Sequence, residues 1–121
     1  MVVDSNIVIY AGKPGYPTIR TFIDENPCMV SATSLVEVLG YHQLTSADKT
    51  TYEHIFQQMT VLPLTSPIID QAILLRQQRK INLGDAFIGA TAIFYNLPLV
   101  TADVKHFRWI DKLTVVNPLT S

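Results

Sequence analysis

The stretch NLGDAFIGATAIFYNLPLVTAD, residues 82–103, predicts a buried helix that leads into a strand and then to an acid. Asn82 is a favoured N-cap residue, and small side chains in the middle of a helix over Asn82–Asn96 would let it pack closely against a sheet. Pro98–Thr101 is an apolar strand candidate, and Asp103 follows its end. This succession is typical of α/β domains with a parallel sheet.

Strand and helix candidates alternate in the same way along the rest of the chain. Apolar, β-branched runs predict strands at Met1–Val3, Cys28–Ser31, Val61–Leu64, Pro98–Thr101 and Leu113–Val116. Capping residues and periodicity predict helices at Pro17–Asn26, Thr33–Leu44, Thr45–Met59, Ser66–Arg79 and Asn82–Asn96. We therefore predict one α/β domain over residues 1–121, with a mostly parallel sheet and helices on both faces.

Composition restricts the possible class of protein. The 121 residues are 48% hydrophobic and 16% charged, which suits one compact core. The net charge of −1 gives no overall basic field, so RNA or DNA binding would need local positive patches or bound cations. Cys28 is the single cysteine and is expected to be a buried thiol in a reducing cytosol. The start of the chain does not resemble a signal peptide, and the longest apolar run, Ala86–Tyr95, is too short to span a bilayer, so we expect a soluble cytoplasmic protein.

Four acids lie close to the predicted strand ends or helix starts. Asp4 ends the first strand, Glu37 lies in the helix after the second, Asp85 opens a helix and Asp103 follows the fourth strand. Sites in open parallel sheets form beyond the carboxyl ends of the strands, so these carboxylates are expected to meet at one edge. Such a cluster suits hard divalent cations, because unneutralised carboxylates at close range would take up protons.

Each acid also has a simpler interpretation when it is taken alone. Asp4 suits a turn at roughly even odds, and Glu37 is as compatible with solvent as with a cleft. Asp85 suits the third position of a capping box begun by Asn82, and Asp103 suits an ordinary loop. Their joint placement is what favours a site.

Four segments, in order along almost the whole chain, resemble the signature segments of PIN-domain nucleases. They are Val3–Asn6, Ser31–Glu37, Gly84–Ala92 and Val100–Phe107, of which the third is the most specific. The compact chain is also similar in size to the VapC toxins of bacterial toxin-antitoxin pairs. The resemblance implies a Mg²⁺- or Mn²⁺-dependent endoribonuclease with an α/β/α sandwich and strand order 3-2-1-4-5.

Residue roles carry over from the matching positions as expectations. The resemblance implies Asp4 and Asp85 as direct metal ligands, Asp103 as a third or water-mediated ligand, and Glu37 as a second-metal or water-orienting group. It implies that Asn6, Ser31 and Thr101 orient the carboxylates. Two positions depart from the toxin branch, since Asp103 is often asparagine there and His106 is often an acid. His106 is expected to be a solvent-exposed loop residue rather than a phosphate ligand, at roughly two to one.

Local basic clusters are the candidates for RNA contacts. Arg79, Lys80 and Lys105 are expected to rim the acidic cleft, although helix-end cations that favour the dipole are an equally good interpretation for the first two. Phe107 and Trp109 are interpreted as core residues. The resemblance also implies an antitoxin that puts a basic side chain into the acidic cleft, and a homodimer.

Three other functions are alternatives to the nuclease. A haloacid-dehalogenase-type phosphatase needs Asp-x-Asp, but Asn6 occupies the second position and cannot act as a general acid. A receiver domain needs a second acid next to the first. The serious alternative is a PIN-like module that binds RNA or protein without cleavage, its site weakened at His106.

Overall fold

A computed structural model describes residues 1–120 of the chain. Its elements in chain order are β1 (Val2–Val3), α1 (Ser5–Ala11), α2 (Pro17–Glu25), β2 (Met29–Ser31), α3 (Ala32–Leu39), α4 (Ser46–Gln57), β3 (Thr60–Leu62), α5 (Ser66–Gln78), α6 (Leu83–Tyr95), β4 (Leu99–Val100), α7 (Val104–Phe107) and β5 (Val115–Val116). Residue 121, which the predicted domain includes, lies outside the described residues.

The strands form one five-stranded sheet in the order β3-β2-β1-β4-β5. Every neighbouring pair is parallel, so the predicted fold class and strand order are confirmed. Val3 lies beside Val100 in the β1–β4 register, so the residues that follow the two strands, Asp4 and Thr101, emerge together at the carboxyl edge.

Side-chain alternation along the strands divides the core between the two faces of the sheet. Val3 and Val100 belong to the cluster covered by α1 to α4, whereas Val2 and Leu99 belong to the cluster covered by α5 to α7. Neighbouring strand residues point to opposite faces, and the four residues are completely buried. The result is a three-layer sandwich.

The structure corrects several element boundaries. The helix α1 was not predicted, because Asp4-Ser5-Asn6 has the chemistry of a turn; Asp4 instead caps this helix. Ser31, and not Thr33, caps α3, and that helix ends at Leu39 with Gly40 as its C-cap rather than reaching Leu44. The predicted caps at Thr45 and Asn82 are confirmed by hydrogen bonds to the backbone three residues on.

Cys28 is free and buried, and its predicted burial is confirmed. No helix within residues 1–120 has the length and apolar content needed to cross a lipid bilayer.

Candidate functional site

Asp4 is a buried carboxylate held at the edge of the sheet. Its backbone N–H donates to the carbonyl of Val100 at 2.8 Å, which continues the β1–β4 pairing. Its Oδ1 accepts from the backbone N–H of Ser5 at 2.7 Å, and its Oδ2 accepts from the Thr101 hydroxyl at 2.7 Å. With only 5% of its surface exposed, the Asp4 side chain is fixed by these two donors.

The charge on Asp4 is energetically costly in this position. Burial is the main cause that raises the pKa of Asp4 from its ordinary 3.8 to about 6, and the hydrogen bond from Thr101 lowers it. The negative charges of Asp85 and Glu37 raise it further. The carboxylates of Glu37 on α3 and Asp85 on α6 therefore lie near enough to Asp4, at the end of β1, to repel it.

Glu37, on α3, is linked to this edge of the sheet by hydrogen bonds that involve Ser5 and Ser34. Ser5 Oγ lies 2.7 Å from Glu37 Oε1 and 2.8 Å from Ser34 Oγ. Because a hydroxyl carries one proton, Ser5 can donate to only one of these two oxygens at a time. Gly84 touches the other side of the carboxylate, where any Cβ would collide with Glu37 Oε2. A residue without a side chain thus lets the start of α6 approach Glu37.

Asp85 contacts Asn82 at the start of α6 and also His106 of α7. Asn82 Oδ1 accepts from the backbone N–H of Asp85 at 2.8 Å, so the N-cap is formed. Asp85 Oδ2 accepts from the side-chain Nδ2 of Asn82 at 3.1 Å and not from its backbone N–H, as a capping box would require. The same Oδ2 lies 3.3 Å from Nδ1 of His106. Burial raises the pKa of Asp85, His106 and Asn82 lower it, and the charge of Asp103 raises it. His106 is exposed as expected, yet it contacts a candidate site carboxylate.

Asp103, like Glu37, is exposed. Asn6 Nδ2 donates to Asp103 Oδ2 at 3.0 Å and lies 3.4 Å from Thr101 Oγ1. The backbone N–H of Asp103 donates to Thr101 Oγ1 at 3.0 Å. Thr101 thereby links Asp4 to Asp103, while Ser31 contributes by capping α3, the helix that carries Glu37.

Comparison with known proteins identifies the family. The family model described as PIN domain matches residues 1–113. The chain belongs to the PIN-domain family. It is 28% identical over 130 residues to a "Ribonuclease VapC" of Rickettsia bellii, covering 97% of this chain and 95% of the relative. A crystal structure of FitAcB from Neisseria gonorrhoeae has the same fold, with a TM-score of 0.81, 22% identity and 99% of both chains covered. A toxin-antitoxin complex from Klebsiella pneumoniae matches with a TM-score of 0.73, 25% identity, and coverage of 97% and 96% of the two chains.

The donor atoms of this PIN domain suit a hard cation, although they are not yet grouped around one point. The four candidate side chains offer carboxylate oxygens alone, the ligand type that Mg²⁺ and Mn²⁺ prefer. Within residues 1–120, no three His, Cys, Asp or Glu side chains form a ready group of metal ligands. Thr101 donates to Asp4, and Asn6 donates to Asp103. The charge of Asp85 raises the pKa of Asp4 and the charge of Asp103 raises the pKa of Asp85, so these acids lie within electrostatic range of one another.

A basic cavity of about 330 Å³ opens beside Asp85 in the PIN domain. It is lined by Arg79, Lys80, Ile81, Asn82, Asp85, Lys105, His106 and Trp109. The structure thus brings the three predicted cations into one cavity with Asp85, whereas Asp4, Glu37 and Asp103 are not part of its lining. The Arg79 guanidinium carbon lies 5.3 Å from the centre of the Trp109 ring.

Some residues of the PIN-domain site were not assigned from the sequence. Ser5 and Gly84 fall inside the signature segments, and their position directly beside Asp4 and Asp85 was the available signal. Trp109 does pack against the core, as interpreted, but it also lines the cavity; Phe107 is completely buried.

Proposed function

We propose that this PIN domain is a divalent-metal-dependent endoribonuclease that hydrolyses RNA phosphodiester bonds. The observation that carries the proposal is the buried Asp4 carboxylate, whose negative charge is disfavoured by burial and by its neighbours Asp85 and Glu37. A bound divalent cation would offset that cost. The similarity to a protein named as a ribonuclease supports RNA as the substrate.

The proposed metal ligands are Asp4, Asp85 and Asp103, and Glu37 is the proposed fourth catalytic acid. Bound there, Mg²⁺ or Mn²⁺ would supply activation of the water nucleophile and would offset charge on the phosphate. Glu37, which is exposed and accepts a hydrogen bond from Ser5, is proposed to accept a hydrogen bond from the attacking water and to orient it. Water adds to phosphorus, the bond to one ribose oxygen breaks, and that oxygen takes up a proton.

Cations in the cavity beside Asp85 are proposed to hold the RNA backbone. Arg79, Lys80 and Lys105 all line it, and each supplies charge without requiring a particular base. Asn6, Ser31 and Thr101 are proposed as positioning residues, the first and last through their contacts with Asp103 and Asp4.

A test of the proposal is cleavage of single-stranded RNA by the purified chain with Mn²⁺, with Mg²⁺ and with EDTA. We expect cleavage with either ion, no cleavage with EDTA, and recovery when excess Mn²⁺ is restored, because every candidate ligand is a hard oxygen donor. Calorimetry with Mn²⁺ alone should show binding. A chain that neither cuts RNA nor binds Mn²⁺ would contradict the nuclease proposal.

A second candidate function, an inactive module that binds RNA or protein, is favoured by one observation. His106 contacts Asp85 at a position that is often acidic in the toxin branch. RNA binding without cleavage under all three conditions would support this alternative.

We further propose that the nuclease is the cytoplasmic toxin of a toxin-antitoxin pair and a homodimer. The match to a toxin-antitoxin complex supports the first part. An apolar groove of about 310 Å³ runs between α3 and α6 up to Glu37, and Val36 and Leu83 on its sides are 74% and 56% exposed. An antitoxin segment in this groove would bring a basic side chain to Glu37. On α5, Ile69 and Ile73 lie one turn apart and are 40% and 49% exposed, which offers apolar surface to a second copy.

The product of a small neighbouring gene is the antitoxin to test. We expect it to co-purify with the chain and inhibit cleavage, and we expect Val36→Glu to weaken that inhibition because it puts a charge into the apolar groove. Asp70→Asn, on the exposed side of α5, is the control. Undiminished inhibition of the Val36 variant would contradict this docking site, and sedimentation of the chain alone would test the dimer.

A further inference from the structure

Beyond the proposed cleavage, we infer that Arg79 and Trp109 form a base-stacking platform that binds one nucleotide of single-stranded RNA next to the bond that is cut. This inference rests on the proposed function, since it names the substrate contact beside the acids. It differs from the general expectation of phosphate binding, because it assigns the aromatic surface and the guanidinium plane to a base.

Three observations place a planar surface inside the basic cavity. The guanidinium of Arg79 lies 5.3 Å from the Trp109 ring centre, within the distance of a cation–π contact. Trp109 Nε1 donates to the carbonyl of His106 at 2.8 Å, which fixes the indole plane. Trp109 packs against the core cluster under α6 and α7 and also lines the cavity, where the exposed Arg79 lies over its ring. The indole therefore supports the guanidinium, and the exposed Arg79 is the part of the platform that a base can reach.

The remaining lining of the cavity matches the other parts of a nucleotide. Lys80 and Lys105 are exposed cations on its rim, where they can pair with phosphates. Asn82 offers an amide for hydrogen bonding, and Asp85 connects the cavity to the acidic group. The volume of about 330 Å³ lies within the range of about 300–1,000 Å³ that is common for ligand sites.

Single-stranded RNA is the ligand that this chemistry favours. Unpaired bases stack on aromatic rings and on arginine planes, while their phosphates pair with lysines. In a duplex the base faces are already stacked and cannot reach the platform. A simple anion has no planar face that could stack on the indole. Purines should bind better than pyrimidines, because they present a larger surface for stacking.

Trp109 is the single tryptophan of the chain, so its fluorescence reports directly on the platform. We expect short oligoadenylate, added to the metal-free full-length protein in EDTA, to change the Trp109 emission in a saturable way. Oligouridylate should bind more weakly, and inorganic phosphate and double-stranded RNA should leave the emission unchanged. An equal response to phosphate alone would show an anion site and overturn the base-stacking assignment.

Variants separate stacking from charge when binding is followed by the anisotropy of labelled oligoadenylate. Arg79→Ala should weaken the binding of oligoadenylate roughly 10-fold. Trp109→Leu should lose affinity by roughly 5- to 100-fold, and Trp109→Phe should lose less. Arg79→Lys keeps the charge without the plane and should lose the preference for oligoadenylate over oligouridylate. Arg76→Ala is the matched control, since Arg76 is exposed one turn earlier and is not part of the cavity lining.

The result distinguishes this inference from the nuclease proposal. If RNA is cut with Mn²⁺ but Trp109 emission does not respond and Arg79→Ala binds like Arg76→Ala, the platform is wrong and the nuclease stands. If oligoadenylate changes the emission but no RNA is cut, the platform stands and the nuclease is wrong. Circular dichroism and thermal melting show whether each variant is folded.

Discussion

Asp85→Asn is expected to reduce the rate of RNA cleavage roughly 10³-fold or more, which is the scale of losing one charged group from a catalytic site. Asp85 is a proposed metal ligand at the start of α6, near Asp4 and Asp103. Asparagine has a similar shape but no charge, so the substitution weakens the hold on the cation without removing a side chain. The measurement is the initial rate of cleavage at saturating Mn²⁺.

The fold should survive this substitution because its local role is retained. The backbone N–H of residue 85 still donates to Asn82, and the asparagine side-chain oxygen can still accept from it. Loss of a charge at the helix N-terminus costs about 0.3–1 kcal/mol, and release of a charge disfavoured by burial offsets that loss. We therefore expect the melting temperature to change by only a few degrees.

Asp103→Asn tests another proposed metal ligand, and Asp70→Asn is the control. Asp103 is exposed and corresponds to a position that is often asparagine in similar toxins, so Asp103→Asn should cost only about 10- to 100-fold. Asp70→Asn, an exposed acid on α5, should leave the rate unchanged and excludes a general effect of charge. An Asp85→Asn protein that retains a third of the normal rate would contradict the ligand assignment.

The neighbouring positions of Asp4 and Thr101 could be predicted, because both residues follow strands of the sheet. Strands that are apolar along their whole length predict a buried parallel sheet. A residue that follows such a strand lies at the carboxyl edge of the sheet. Asp4 and Thr101 are joined by a hydrogen bond for this reason, although they are 97 residues apart. The helix α1 was missed because the same Asp4-Ser5-Asn6 chemistry that suggests a turn also caps a short helix.

Contacts made by irregular segments could not be predicted. His106, in the short helix α7, meets Asp85 in α6, and Arg79, just after α5, meets Trp109, just after α7. No periodicity in the sequence fixes the path of such segments. The collision that a side chain at Gly84 would have with Glu37 likewise depends on how α3 and α6 cross.

The stability of the metal-free protein is expected to fall, relative to Asp4→Asn, as the pH rises from about 4 to about 7. The pKa of Asp4 is 3.8 in its ordinary state and about 6 in the folded chain, so folding favours the protonated form. A group whose pKa is raised by folding contributes its stability below the unfolded pKa and loses it as the pH rises through the folded pKa. The difference between 3.8 and about 6 corresponds to a loss of about 3 kcal/mol that is complete above about pH 7.

The measurement is urea unfolding of both proteins in EDTA across this pH range. The comparison matters because Asp85, whose pKa is also raised, titrates in both proteins and largely cancels in the difference. The absolute level of Asp4→Asn is less informative, because either Ser5 or Thr101 then faces an amide NH₂ instead of a carboxylate oxygen, at a cost of about 1–3 kcal/mol. Asp70→Asn should show no such divergence from the unsubstituted chain.

Adding Mn²⁺ above pH 7 should reverse this loss for the unsubstituted chain and much less for Asp4→Asn. A cation that binds only the folded chain stabilises it by about 2.7 kcal/mol when the cation concentration is a hundred times the dissociation constant. The Asp4 carboxylate, whose charge destabilises the folded chain without the ion, then binds the ion. If the two proteins instead keep a constant difference from pH 4 to pH 7, Asp4 is not the buried charge described here. If they diverge as expected but respond equally to Mn²⁺, the buried charge is real and its assignment as a metal ligand is wrong.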